Sequence, residues 1–247
     1  MKIGFFFAIV FGLSSTPFFL QCDQKLTLNM RTRTEQPLES NQWEEKVVVK
    51  EFEAEKVAFL ICDVWDKHWC KTLSARSEKI AYKTAPIVET LREKGVKIIH
   101  SPSNCMAYYH KKGAPPLPID SSNCCPDIPP CKRQYPYLWT RQHPAIRIAK
   151  EDLISESGNY IHKFLKQKNI ELLIIMGVHT NGCVLGRSFG IISMTKKGMP
   201  VVLVRNLTDA AYNPKQPPFV SQDEATELVV QWIEKYYCPS ITSEDLI

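Results

Sequence analysis

Three short runs of this chain are apolar from end to end, and each stops at a polar residue or a glycine. Val57-Ala58-Phe59-Leu60-Ile61-Cys62 stops at Asp63, Leu172-Leu173-Ile174-Ile175-Met176 at Gly177, and Val201-Val202-Leu203-Val204 at Arg205. A strand with one face in water alternates apolar and polar residues, so an unbroken apolar run suits a strand buried on both faces. Val96-Lys97-Ile98-Ile99-His100 reads as a further strand, ending at Ser101-Pro102, and 145–148 as a short one. Helical patterns fall between them. One covers 74–94, with Pro86 as an interruption and Gly95 as its stop. Another covers 158–168, with Tyr160, Ile161, Phe164 and Leu165 on one face, and a third covers 183–197, closed by Gly198. The capping box Ser221-Gln222-Asp223-Glu224 opens a fourth, carrying Leu228, Val229, Trp232, Ile233 and Tyr236. Strands alternating with helices imply right-handed crossovers and a mostly parallel sheet covered on both faces, an α/β fold. Chemistry in such sheets gathers beyond the carboxyl ends of the strands. Asp63, Ser101, Gly177 and Arg205 fall at those ends.

The 247 residues suit one domain at 53–247. Residues 1–21 read as a signal peptide, because Lys2 precedes an apolar stretch from Ile3 to Leu13 too short to span a bilayer. Cys22 then raises a lipid anchor, although Leu20-Gln21 stand where small residues usually precede a lipidated cysteine. Either way the chain is expected to be exported, freely secreted or membrane-anchored. Residues 22–52 are polar and read as a tether and lead-in. Residues 105–145 form a long Pro- and Cys-rich loop, which in a compact domain is usually functional or an insertion. In an exported chain its Cys124, Cys125 and Cys131 invite a disulfide from Cys131 to one of the other two. Cys62, within an apolar run, reads as a buried free thiol. The +5 net charge is scattered rather than gathered on one face, which argues against nucleic-acid binding. No glycine-rich dinucleotide or P-loop fingerprint is present, so no cofactor is expected.

The segment Gly177-Val178-His179-Thr180-Asn181-Gly182-Cys183-Val184-Leu185-Gly186-Arg187 ends a strand, turns tightly and opens a helix with a cysteine. Free amides and a positive dipole end there would stabilise a thiolate, so Cys183 is expected to titrate below a free cysteine. The same amides could hold an oxyanion. The alternative is a buried structural cysteine. Asp63 ends the most apolar run. It could cap the next segment, or serve a thiol as general base with its pKa raised by burial.

An apolar strand running into Asp63, and later a GV-T-x-x-C-V turn into a helix, resembles the isochorismatase-like cysteine hydrolases over about residues 55–238. That resemblance implies a three-layer α/β/α fold and hydrolysis of a small-molecule substrate, of the small-amide kind. Asp63 would take the thiol proton, Cys183 would attack the carbonyl, and a thioester would form and be hydrolysed. It places a cis peptide between Val178 and His179, with the backbone amides of His179 and Cys183 as oxyanion hole. It also calls for a lysine in the segment before the preceding helix, where Lys150 stands within Ile146–Asp152. The flanking Leu153-Ile154-Ser155-Glu156 departs from the family pattern, and Arg147 and Arg141 are fallback cations that could not shuttle a proton. Metal-binding members use an Asp-x-His pair after the second strand; residues 100–110 lack one, so no metal is expected and His100 reads as a strand-end hydrogen bonder.

Trp65 and His68, together with Asp66 and Trp69, follow Asp63 and could wall a pocket for a flat or apolar substrate, or simply pack their loop. Arg187, one turn past Cys183, could bind an anionic substrate or pair with an acid. Asp209 and Tyr212 resemble the segment that closes the family's site, with turn roles as the alternative. The leading reading is an exported amide hydrolase. Its rival is a non-catalytic, repurposed member with a binding role, and a homo-oligomer is left open.

Overall fold

The structure, a computed structural model, describes residues 24–37, 40, 42–109 and 137–247. The leader, Cys22 and the expected Cys124/Cys125/Cys131 bridge lie outside those residues. Of the five cysteines within them, Cys62, Cys105, Cys183 and Cys238 are free thiols, and Cys62 is buried, as is the fifth, Cys70.

The elements in chain order are β1 (Lys25–Glu35), β2 (Trp43–Glu53), β3 (Val57–Cys62), α1 (Lys71–Glu93), β4 (Lys97–Ser101), β5 (Leu153–Ile154), α2 (Gly158–Gln167), β6 (Leu172–Val178), α3 (Ile191–Lys196), β7 (Val201–Asp209), α4 (Gln222–Tyr236) and β8 (Ser240–Ile241). The strands form one sheet in the order β2-β1-β8-β7-β6-β3-β4-β5. The five pairings from β8 through β5 are parallel, and β1 joins β8 and β2 antiparallel.

The unbroken apolar runs are central strands, and their period of two sorts them onto two faces. From β3, Phe59 and Ile61 meet the α1 stripe Ile80, Ala81, Ile87, Val88 and Leu91. Ala58, Leu60 and Cys62 point the other way, onto Ile161 and Leu165 of α2, Met194 of α3, and Val230 and Ile233 of α4. The fold is therefore three-layered, α/β/α, on a mostly parallel sheet.

Three elements depart from the sequence reading. The expected tether is a long hairpin. Leu26, Leu28 and Met30 alternate in β1 and are buried against the α1 face, a period-2 signal submerged among charged neighbours. Pro86 does not break α1, which runs through it. One lost backbone hydrogen bond is outweighed by the buried stripe on either side. Residues 145–148 form no strand; the edge partner of β4 is β5, through Ile99↔Leu153 and His100↔Ile154.

Candidate active site

The site sits where β3 and β6 end side by side. Cys62 pairs with Gly177, and Gly177 has φ +123°, a conformation open to glycine. A Cβ there would lie 1.9 Å from the Cys62 carbonyl oxygen, so only glycine lets the two strand ends approach this closely. Beyond Gly177, the Val178–His179 peptide is cis. Residues Thr180–Val184 then make a single π-helical turn that carries Cys183. Thr208 ties this turn to β7, its hydroxyl 2.7 Å from that of Thr180 and donating to the Gly177 carbonyl at 2.9 Å.

The expected continuous helix over 183–197 is broken. Residues 187–190 leave helical geometry before α3 begins at Ile191. Gly190 lies so close to the π turn that a Cβ would come within 2.7 Å of the Val184 carbonyl. The break sets the direction of Arg187.

Asp63 is fully buried and adopts φ 51°, a left-handed conformation that aspartate tolerates better than most residues. One carboxylate oxygen accepts the Ser103 backbone N–H at 2.6 Å. The other accepts Nε of Arg187 at 3.2 Å. The Cys183 thiol lies close enough to both for the Asp63 charge to raise its pKa and the Arg187 charge to lower it. The Asp63–Arg187 ion pair thus lies beside the Cys183 thiol at the strand ends.

The cation is Arg187 and not Lys150. Lys150 is exposed and bonds neither Asp63 nor Cys183. Its neighbours explain why. Asp152 turns inward to Arg92 at 2.8 Å and His100 at 3.0 Å, and accepts the Ala149 N–H at 2.7 Å. Arg147 pairs with Glu89 on α1 at 2.5 Å. This pinning faces Lys150 to solvent. His100 is the strand-end hydrogen bonder anticipated, its second ring nitrogen 2.9 Å from Gln142.

Burial pushes the Asp63 carboxyl above its ordinary range, with Arg187 opposing. Burial pushes the Cys183 thiol up as well, and the Asp63 charge adds to it. The expected thiolate at rest is therefore corrected: Cys183 lies in a π turn amid apolar walls beside a carboxylate, not at the exposed start of a long helix. His179 and His68 are pulled down by burial to about 4 and about 3. Both are neutral near pH 7 and supply no charge to the thiol.

Trp65, Trp139 and Tyr137 form a stack bordering Cys183. Ring centroids lie 4.4 Å apart for Trp65–Trp139 and 4.3 Å for Tyr137–Trp139, with His68 parallel to Trp139 at 5.8 Å. Trp65 also donates from its indole to the Ser103 carbonyl at 3.0 Å. Trp139 was missed from sequence because it lies in the irregular loop, far from either motif. Tyr212 does not join this group. Its hydroxyl donates to the Gln216 carbonyl at 2.6 Å and accepts the Phe219 N–H at 3.1 Å, a turn role. Among the described residues, no group of three or more His, Cys, Asp or Glu stands together as a metal site.

The sequence profile of the Isochorismatase domain matches residues 57–228, more than half of the chain. The chain belongs to the isochorismatase family. Solved members share its fold at low identity. A cysteine hydrolase from Pseudomonas syringae pv. phaseolicola 1448A is 14% identical with a TM-score of 0.52, over 78% of this chain and 92% of that one. An isochorismatase from Pseudomonas putida KT2440 is 14% identical with a TM-score of 0.54, over 78% and 91%. An isochorismatase family protein from Burkholderia thailandensis is 16% identical with a TM-score of 0.53, over 78% and 94%. No curated protein matches.

Proposed function

We propose that this chain is a cysteine hydrolase that cleaves the C–N bond of a small amide, with Cys183 as nucleophile, Asp63 as sole proton carrier and Arg187 as fixed counter-charge. The observation that carries this reading is the buried Asp63–Arg187 ion pair beside Cys183 at the carboxyl ends of β3 and β6. Asp63 takes the thiol proton as sulfur attacks the carbonyl carbon. The tetrahedral oxyanion is held by the backbone amides of His179 and Cys183. Its collapse breaks the C–N bond, and the amine leaves with the proton from Asp63. Asp63 then takes a proton from water, which attacks the thioester; the acid departs and the thiol recovers the proton.

Arg187 cannot carry protons at ordinary pH. Its role is electrostatic: it offsets the Asp63 charge and favours the thiolate as it forms. Because both the acid and the thiol are pushed up by burial, the ground state keeps the proton on the pair, and the thiolate forms only as it attacks. The aromatic stack of Trp65, Trp139 and Tyr137 supports a flat or apolar acyl group. The apolar leader supports an enzyme acting outside the cytoplasm, secreted or lipid-anchored at Cys22.

The test is ammonia or amine release from a panel of small aliphatic and aromatic amides, with Cys183→Ala as control. Turnover by the wild type and none by the variant is expected. No release from any amide, or equal release by both, contradicts the reading. The rival, a repurposed binding member, is favoured by the outward Lys150 and predicts tight binding of an amide without turnover.

A further inference from the structure

A polar cavity of about 390 Å³ lies between α1 and α4 across the end of β7. It exists because β8 is only Ser240–Ile241 and leaves the last residues of β7 without a neighbour on that side. The cavity is within the usual range for small-molecule sites. Its lining is strongly charged, and its charges are unevenly matched.

Each acid of the lining is paired with an arginine. Asp209 accepts Nε and Nη2 of Arg76 at 2.8 and 2.6 Å, and Asp223 accepts the same Nη2 at 2.5 Å. Glu227 pairs with Arg31 at 3.0 Å. Three further cations of the lining are not so paired. Lys79 and Lys83, one turn apart on α1, are exposed and form no ion pair among the described residues. Arg205 on β7 is half-buried, yet donates only to the neutral hydroxyl of Ser240, at 3.2 Å. Burial and the nearby Arg31 charge both pull its guanidinium down. Glu234, Asp245 and Glu227 act on it from a distance, but a guanidinium partly withdrawn from water with no carboxylate in bonding contact among the described residues is an incomplete arrangement.

We infer that this cavity is a binding site for a small, multiply charged anion, a phosphoryl or polycarboxylate compound, held by Arg205, Lys79 and Lys83. Two lysines on one helix face and an arginine on the facing strand suit an anion with two or more charged oxygens set apart. A forked guanidinium takes one group, and the flexible ammonium ions follow the other. The site is independent of the hydrolytic reading, since none of its cations touches Asp63, Cys183 or Arg187.

The experiment is calorimetric titration of the full chain with pyrophosphate and, separately, citrate. Saturable one-to-one binding of at least one probe is expected, weakening as salt is raised. The stronger probe identifies phosphoryl or carboxylate as the preferred group. Affinity should fall about tenfold or more in Arg205→Gln and similarly in the Lys79→Gln/Lys83→Gln double variant, as for loss of charge-assisted hydrogen bonds. The exposed lysines make the double variant safe for folding should Arg205→Gln fail to fold. Cys183→Ala should bind as the wild type does. Absence of saturable binding by either probe, binding unmoved in the lysine variant, or binding lost in Cys183→Ala would overturn the proposal.

Discussion

Two strand ends in this molecule carry the same local device with different results. At the end of β3, Asp63 is buried, raised by burial and bonded to Arg187. At the end of β7, Asp209 is buried, raised by burial and bonded to Arg76. Both carboxylates close a central strand, Asp63 directly after β3 and Asp209 as the last residue of β7. What separates them is the third group. Asp63 faces a thiol supplied by the next strand, whereas Asp209 is bonded by Arg76 and the Thr226 hydroxyl on one oxygen, its other oxygen without a hydrogen bond. A buried acid–arginine pair is thus a structural tie until a nucleophile is placed against it. The source of the arginine differs too. Arg76 comes from α1, a separate element, while Arg187 comes from the segment that carries the nucleophile, so any shift of that turn moves thiol and cation together.

This comparison can be broken most sharply at the acids. Asp63→Asn should lower amide turnover by about 10³-fold or more, as should Cys183→Ala, because each removes a unit of one mechanism. Asp209→Asn should lower thermal stability while leaving turnover of the folded fraction within about tenfold, since it removes a tie and no reacting group. Equal catalytic loss at both positions would erase the distinction. The arginine comes next. Arg187→Gln leaves Asp63 buried without its counter-charge and should destabilise by about 3–5 kcal/mol in urea unfolding, in addition to its effect on turnover. Lys150→Ala should change neither stability nor turnover measurably. A strong effect at Lys150 would restore the lysine to the site and remove Arg187 from its role.

Smaller effects follow from the protons. Cys183 should alkylate with iodoacetamide along a pH curve whose midpoint lies above that of an ordinary thiol, near 8.5. In Asp63→Asn the midpoint should move down, because the negative neighbour is gone. A wild-type midpoint below 8.5, or an upward move in the variant, would contradict the electrostatics described. For the histidines, folded values of about 4 for His179 and about 3 for His68 lie below the unfolded 6.5. The unfolded chain therefore binds more protons than the folded one below pH 6.5, and stability should decline on acidification from there toward pH 3. His179→Gln should flatten part of that decline, measured as denaturation midpoint against pH.

Much of the fold was legible because burial on both faces leaves an unmistakable mark. Val57–Cys62 and Leu172–Met176 could hardly be anything but central strands, and Asp63 and Cys183 stand at their ends. The hairpin of β1 and β2 was not legible as such, since Leu26, Leu28 and Met30 are three apolar residues among charged ones and one face of the ribbon stays wet. The site's cation was misplaced for a different reason. Position along the chain suggested Lys150, but the inward turn of Asp152 toward His100 and Arg92 decides which way that segment faces, and such a long-range network has no local signature. Trp139 was hidden by its loop. The break at 187–190, which aims Arg187, depends on Gly190 packing against Val184, a contact no periodicity reports.

The central claim is that Cys183 is acylated through Asp63. It is tested most directly by brief exposure of the protein to an activated acyl ester, acid quench and peptide mapping by mass spectrometry. A single acyl group on Cys183 is predicted in the wild type and in Lys150→Ala, with none on that peptide in Asp63→Asn at neutral pH. Acylation of another residue, none at all, or undiminished labelling of Cys183 in Asp63→Asn would contradict it.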